Sequence, residues 1–258
     1  MVVAEAAAET SPAEGRYALL MAAHDSEYVL KMYGGYLPVF VSAFGAAGET
    51  WDVFRAVDGE LPSADELGRY AAFVISGSPH DAHADDAWIL RLCALVRDLH
   101  ARRARVLGVC FGHQVICRAL GGRVGRARGG WDVGVRDVAI AHAAGSSRLL
   151  DGQLLPLRAR ITEVHQDEVW EVPEGAEVLA SSDKTGVEMF CVGDSVLGIQ
   201  GHPEYTRDIL LSLVDRLLAA GTITISFAEA VKRQVEATAP DREFWLKLCK
   251  SFLKADGA

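Results

Sequence analysis

Apolar positions along this chain follow two rhythms. Tyr17–Ala23, Ala71–Ile75 and Val106–Val109 are unbroken apolar runs, the mark of strands buried on both faces. Trp51–Val57 alternates like a further strand. Between and after these runs the spacing becomes helical. Pro38–Ala47 predicts one helix. Asp85–Arg102 predicts a second, with Trp88, Ile89, Leu92, Leu95, Val96 and Leu99 on one face. A third follows Val109, with Val115, Ile116, Ala119 and Leu120 closed by Gly121-Gly122. Strands alternating with helices over 17–121 predict an α/β fold with a doubly wound, mostly parallel sheet flanked by helices.

Past Gly122 the pattern shortens. Residues 133–140, 158–164, 176–181, 187–192 and 195–200 read as short strands joined by tight turns at 173–175, 183–186 and 193–194, which predicts an antiparallel extension. Thr206–Ala220 is an amphipathic helix, and Phe227–Ala237 with Arg242–Lys254 form a C-terminal helical pair. No internal repeat or low-complexity linker divides the chain. One domain over 16–258 is expected, with its core at about 17–220 and its C-terminal helices in 221–258. Residues 1–15, rich in Ala and Glu, are expected to form a disordered tail.

Composition narrows the partners. Of 258 residues, 50% are hydrophobic and 24% charged, enough for a substantial core. The net charge of −9 argues against nucleic acid or an anionic membrane as partner. Five cysteines (Cys93, Cys110, Cys117, Cys191, Cys249) form no CxxC pair, which fits a reducing compartment and no thiolate zinc site. The acidic N-terminus resembles neither a secretory nor an organellar leader. No run reaches the ~18 uncharged apolar residues of a membrane span. A cytosolic location is expected.

The candidate chemistry gathers where strands end, the edge at which doubly wound sheets place their sites. At 106–114, a strand, a sharp turn and a helix frame a cysteine with a glycine two places to either side (Gly108, Cys110, Gly112). This is a nucleophile-elbow arrangement in the form G-x-C-x-G. A thiol at a helix N-terminus favours thiolate, although a buried cysteine at a strand end fits the same pattern. Of the eight histidines, His202 begins a turn after an apolar run, with Pro203 stiffening it and Glu204 two residues on. That is the spacing of a base and its orienting carboxylate; a polar strand-to-helix loop is the alternative. His113, in the elbow's own helix, is expected to pack away from the thiol. His100 and His142 read as surface residues and His24 as a polar strand end. His80, Asp81, His83 and Asp85 offer metal-ligand types, but a solvated loop is the preferred reading and no metal is expected.

Gly108-Val-Cys110-Phe-Gly112-His-Gln114, preceded by Ser76-Gly77-Ser78-Pro79 and followed by Gly201-His202-Pro203-Glu204, resembles the class I glutamine amidotransferase (triad) domain. The resemblance runs over about 17–220. Met32-Tyr-Gly-Gly-Tyr36, Ile75–Asp81 and Gly198–Tyr205 resemble, more closely, the plant cytosolic γ-glutamyl peptidases. That group uses this fold without a synthase domain to cleave the γ-glutamyl bond of glutathione conjugates. The resemblance implies Cys110 as nucleophile, His202 as base and then acid, and Glu204 as orienter. It implies an oxyanion hole from the backbone N–H groups of Ser78 and Phe111, and glutamyl contacts from Gly77, Gln114, His165, Gln166 and Asp167. Gly-Ser-Pro stands where many amidotransferases carry Gly-Gly-Pro, which preserves the backbone donor if its dihedral angles accept serine. The expected substrate is a small γ-glutamyl molecule, glutathione or an S-conjugate, cleaved through a γ-glutamyl thioester with no cofactor and no synthase partner. A glutaminase subunit that supplies ammonia to a separate synthase is the alternative.

Overall fold

In the computed structural model, which describes residues 15–141 and 155–255, the apolar runs become strands. They are β1 (Arg16–Leu20), β3 (Ala72–Ile75) and β4 (Arg105–Val109), with the alternating segment as β2 (Thr50–Phe54). His142 and all of the expected N-terminal tail except Gly15 lie outside the described residues. Helices α2 (Tyr36–Phe44), α3 (Ala87–Ala101) and α4 (Phe111–Ala119) stand near their expected places. Helix α2 begins two residues early because Asp25 Oδ1 accepts the Tyr36 N–H at 2.6 Å. Helix α1 (Glu27–Tyr33) was hidden in the Tyr- and Gly-rich patch. It has its own punctuation, an N-cap at Ser26, whose hydroxyl accepts the Val29 N–H, and a left-handed Gly34 at its C-terminal end.

The second half supplies β5 (Arg123–Arg126), β6 (Asp132–Ile140), β7 (Arg158–His165), β8 (Asp167–Glu171), β9 (Ala176–Ser181), β10 (Met189–Val192) and β11 (Val196–Ile199). Among the described residues nine strands join in the order β2-β1-β3-β4-β11-β10-β9-β6-β7. From β2 to β11 every neighbour is parallel. From β11 to β7 every neighbour is antiparallel, the extension that the short strands predicted. Strands β5 and β8 pair separately. The sequence pattern missed both because they are short and largely polar.

Side-chain alternation along β1 assigns the faces. Tyr17, Leu19 and Met21 join Phe40 and Phe44 of α2 and Trp245, Leu248 and Phe252 of α7 (Arg242–Lys254). Ala18 and Leu20 face the other way, toward Ile89, Leu92 and Val96 of α3 and Val115 and Ile116 of α4. Helices α5 (Arg207–Ala219) and α6 (Ile225–Ala237) cover Val133 and Val135 of β6. Helices thus cover both faces, which leaves the strand ends as the open edge. There β3 runs into 76–79, β4 into Cys110 and β11 into 200–204. Among the described residues no helix is long and apolar enough to cross a membrane.

Helix α7 is bound tightly to this sheet. Trp245 is fully buried and its Nε1 donates to the Arg160 carbonyl at 3.0 Å, while Arg105 Nη1 donates to the Phe252 carbonyl at 2.7 Å. Trp245→Ala is expected to cost about 3–5 kcal/mol in urea unfolding, with α7 melting together with the sheet. A loss below about 1 kcal/mol, or a separate early transition for α7, would contradict this packing.

Candidate active site

Cys110 follows β4 and caps the N-terminus of α4 with φ 52° and ψ −104°, a left-handed backbone that non-glycine residues rarely adopt and that costs on the order of 1–3 kcal/mol. Contacts on either side enforce it. The Cys110 N–H donates to the Ile199 carbonyl of β11 at 2.9 Å, and its carbonyl accepts the Gln114 N–H at 3.1 Å. Helix α4 lies directly on the strands. A Cβ at Gly108 would come within 2.5 Å of the Gly112 backbone, and one at Gly112 would strike the Ile75 carbonyl. The thiol is buried, with Sγ 3.8 Å from the Val164 carbonyl.

His202 and Glu204 occupy the turn after β11, both buried. The Glu204 carboxylate Oε1 is 2.8 Å from His202 Nδ1. The rest of the ring meets Cys110 within hydrogen-bonding reach. A Cβ built on Gly77 would lie 2.8 Å from His202 Cε1 and 3.6 Å from Cys110 Cβ, so only glycine leaves space between the two side chains and the 76–79 loop. Tyr205 stacks on the imidazole, centroids 4.0 Å apart at 4°. The His202 N–H is anchored on the Thr162 carbonyl at 2.8 Å. Burial pushes the imidazole toward neutrality, but the Glu204 carboxylate and the Cys110 sulfur outweigh it and hold His202 above the ordinary histidine range. The arrangement therefore favours an imidazolium beside the Cys110 sulfur. It can deliver a nucleophile and then return a proton.

The other expected residues surround this pair. A cavity of about 400 Å³ is lined by Gly77, Ser78, Cys110, Gln114, His165, Gln166, Asp167, His202 and Glu204, within the roughly 300–1,000 Å³ of small-molecule sites. Phe111 is the first residue of α4, so its N–H has no partner inside the helix. Gln114 is buried, and its Nε2 donates to the Asp167 carbonyl at 2.8 Å and to Gln200 Oε1 at 3.0 Å. His165 shares that carbonyl through Nδ1 at 2.8 Å. Burial drives its imidazole down to about 4, so it is neutral.

The acidic loop is redistributed. Asp85 pairs with Arg118 and the His80 ring lies against Trp88. Asp81 and His83 converge with Asp167, their ligand atoms within 4.8 Å of one another. Arg126 supplies the positive charge there, at 3.0 Å from Asp81 Oδ2 and 2.9 Å from Asp167 Oδ1. Arg126 also donates to Gln166 Oε1 at 2.8 Å, which ties the loop after Pro79 to the turn that begins β8. In the sequence Arg126 reads as one of three clustered surface cations with Arg123 and Arg128; this tie was not legible there, because its partners lie about 40 residues away in each direction. His113 packs on Phe190, ring centroids 4.9 Å apart, as expected of a residue turned from the thiol. Tyr36 lines the cavity, whereas Tyr33 ties α1 to α5 by donating to Asp208 at 2.7 Å.

The profile of the family described as glutamine amidotransferase class-I matches residues 29–209. γ-Glutamyl peptidase 3 of Arabidopsis thaliana is 49% identical over 240 residues, covering 93% of this chain and 96% of that protein. γ-Glutamyl peptidase 2 of the same plant is 46% identical over 239 residues, covering 93% and 96%. A crystal structure of a glutamine amidotransferase from Thermotoga maritima superposes with a TM-score of 0.68 at 18% identity, covering 93% of this chain and 96% of that one; it supports the fold.

The charge balance at His202 generates a direct test. Glu204→Gln removes an attraction that raises the imidazole's proton affinity, so His202 should lose its proton at lower pH than in the unaltered protein. NMR of the histidine ring protons measures this shift. An unmoved midpoint would mean that Glu204 does not hold the imidazolium.

Proposed function

The chain is an enzyme of the class-I glutamine amidotransferase family, and we propose that it is a γ-glutamyl peptidase acting on glutathione or glutathione S-conjugates. The observation that carries this reading is Cys110, held on a strained elbow against the His202–Glu204 pair at the base of the cavity. The similarity to plant γ-glutamyl peptidases over nearly the full chain points the same acyl chemistry at a γ-glutamyl bond.

In this mechanism the Cys110 thiolate attacks the γ-carbonyl carbon. The carbonyl oxygen gains the negative charge and accepts from the Ser78 and Phe111 N–H groups, donors worth about 3–4 kcal/mol each. His202 gives its proton to the departing amine as the C–N bond breaks, leaving a γ-glutamyl thioester on Cys110. His202, again neutral, takes a proton from water, whose oxygen attacks the thioester and releases glutamate. Glu204 keeps the ring oriented through both steps. Gly77, Gln114, His165, Gln166 and Asp167 form the wall for the glutamyl portion. Trp131, Leu213 and Leu217 also line the cavity, beside Arg216, an apolar stretch that suits a leaving group larger than ammonia. Each step uses groups of this chain and water.

Purified protein with glutathione, a glutathione S-conjugate or glutamine is expected to release glutamate fastest from the two glutathione substrates. Cys110→Ala should lower the rate by at least about 10³-fold. Absence of Cys110-dependent release from either glutathione substrate would overturn the proposal. Turnover of glutamine alone would favour an ammonia-supplying role.

A further inference from the structure

Directly beneath the site lie two buried carboxyl groups that the mechanism leaves unused. Glu163 of β7 is fully buried and Glu188, just before β10, nearly so. They are near enough for a hydrogen bond between them. The neighbouring carboxylate, Asp132 of β6, is already taken. Its Oδ1 lies 2.6 Å from Arg136 Nε and 3.7 Å from Lys184 Nζ. The Ser182 hydroxyl oxygen accepts the N–H groups of Lys184 and Thr185.

Glu163 faces a more demanding set. Its Oε2 is 3.5 Å from His165 Nε2. His165 carries its proton on Nδ1, where it donates to the Asp167 carbonyl, so Nε2 presents a lone pair. Its Oε1 sits against Gly201, where a Cβ would come within 2.5 Å of it. The Cys110 sulfur, on the site side, also raises the proton affinity of Glu163. An ionised Glu163 would thus meet a second carboxylate and an imidazole lone pair in a dry environment. Two like charges cannot both persist there.

We propose that Glu163 and Glu188 form a proton-sharing carboxyl pair whose single proton positions the glutamyl wall and the His202 turn. With the proton on Glu163, one O–H serves Glu188 and the His165 lone pair in turn. It keeps His165 in the tautomer that grips Asp167. The same Asp167 carbonyl holds the Gln114 amide, so the wall that meets the glutamyl group depends on this proton. Gly201, next to His202, rests on the same carboxyl. Burial, reinforced by Glu188, Asp132 and Cys110, holds Glu163 well above the usual carboxylate range, in agreement. Glu163 and Glu188 are positioning residues: neither touches the reacting atoms.

The test has two arms. Difference infrared spectra at neutral pH should contain the carbonyl stretch of a protonated carboxylic acid, shifted in deuterium oxide and lost in Glu163→Gln. This arm holds whatever the substrate, so it survives failure of the peptidase reading on which the second arm rests. In the second, Glu163→Leu, which offers no donor, should lower kcat/KM for a γ-glutamyl substrate about tenfold, mainly by raising KM. Glu163→Gln, which keeps a donor without needing a proton, should recover most of that loss and extend activity to higher pH. Absence of the infrared band, its persistence in Glu163→Gln, or equal losses in the Leu and Gln variants would overturn the proposal. If Glu163→Leu fails to fold, the infrared comparison decides alone.

Discussion

Helix α4 rests on β3 and β4 with bare backbone at Gly108 and Gly112, and the reactive geometry of the chain follows from that contact. No wider residue fits between helix and strands, so the chain must turn within a single residue, and Cys110 takes the left-handed backbone. The cost is small beside the packing around it: Phe111, Val115 and Ile116 sink into one face of the sheet while Val109 and Ile199 hold the other. A strained residue persists when its surroundings over-determine it. Here the result is a sulfur at a helix N-terminus, next to the N–H of Phe111, which has no partner inside the helix.

Electrostatics then act among buried side chains. Burial alone would neutralise His202, but Glu204 and the Cys110 sulfur reverse that tendency. Burial does neutralise His165, whose Nδ1 meets the uncharged Asp167 carbonyl. Two histidines bordering the same cavity thus take opposite charge states, set by what each faces. The Glu163–Glu188 pair extends the same logic one layer down. Like charges without a bound cation are resolved by keeping a proton, whereas Asp132, which has Arg136 beside it, has a cation to pair with.

Much of this was legible in the chain itself. Unbroken apolar runs gave β1, β3 and β4, because strands covered on both faces need no polar alternation. The G-x-C-x-G frame and His202-Pro203-Glu204 marked the candidate reactive groups, because each depends on neighbours within a few residues. Glu163 also left a trace: it and His165 share the alternating face of Ala159 and Ile161 in β7, a polar pair on an apolar side.

What the sequence determined by itself was therefore local: which runs are strands, where the backbone must turn sharply, and which side chains can attack, accept a proton or orient. Tertiary structure alone decided which of them meet. The parallel register β3-β4-β11 brings Gly77, Cys110 and His202 to one edge, although they are far apart in the chain. Arg126 reaches Asp81 and Gln166 by the pairing of β5 with β8. Glu163 finds Glu188 only because the antiparallel strands fold back beneath the 200–204 turn. Such contacts are set by strand order and burial, and no spacing along the chain encodes them.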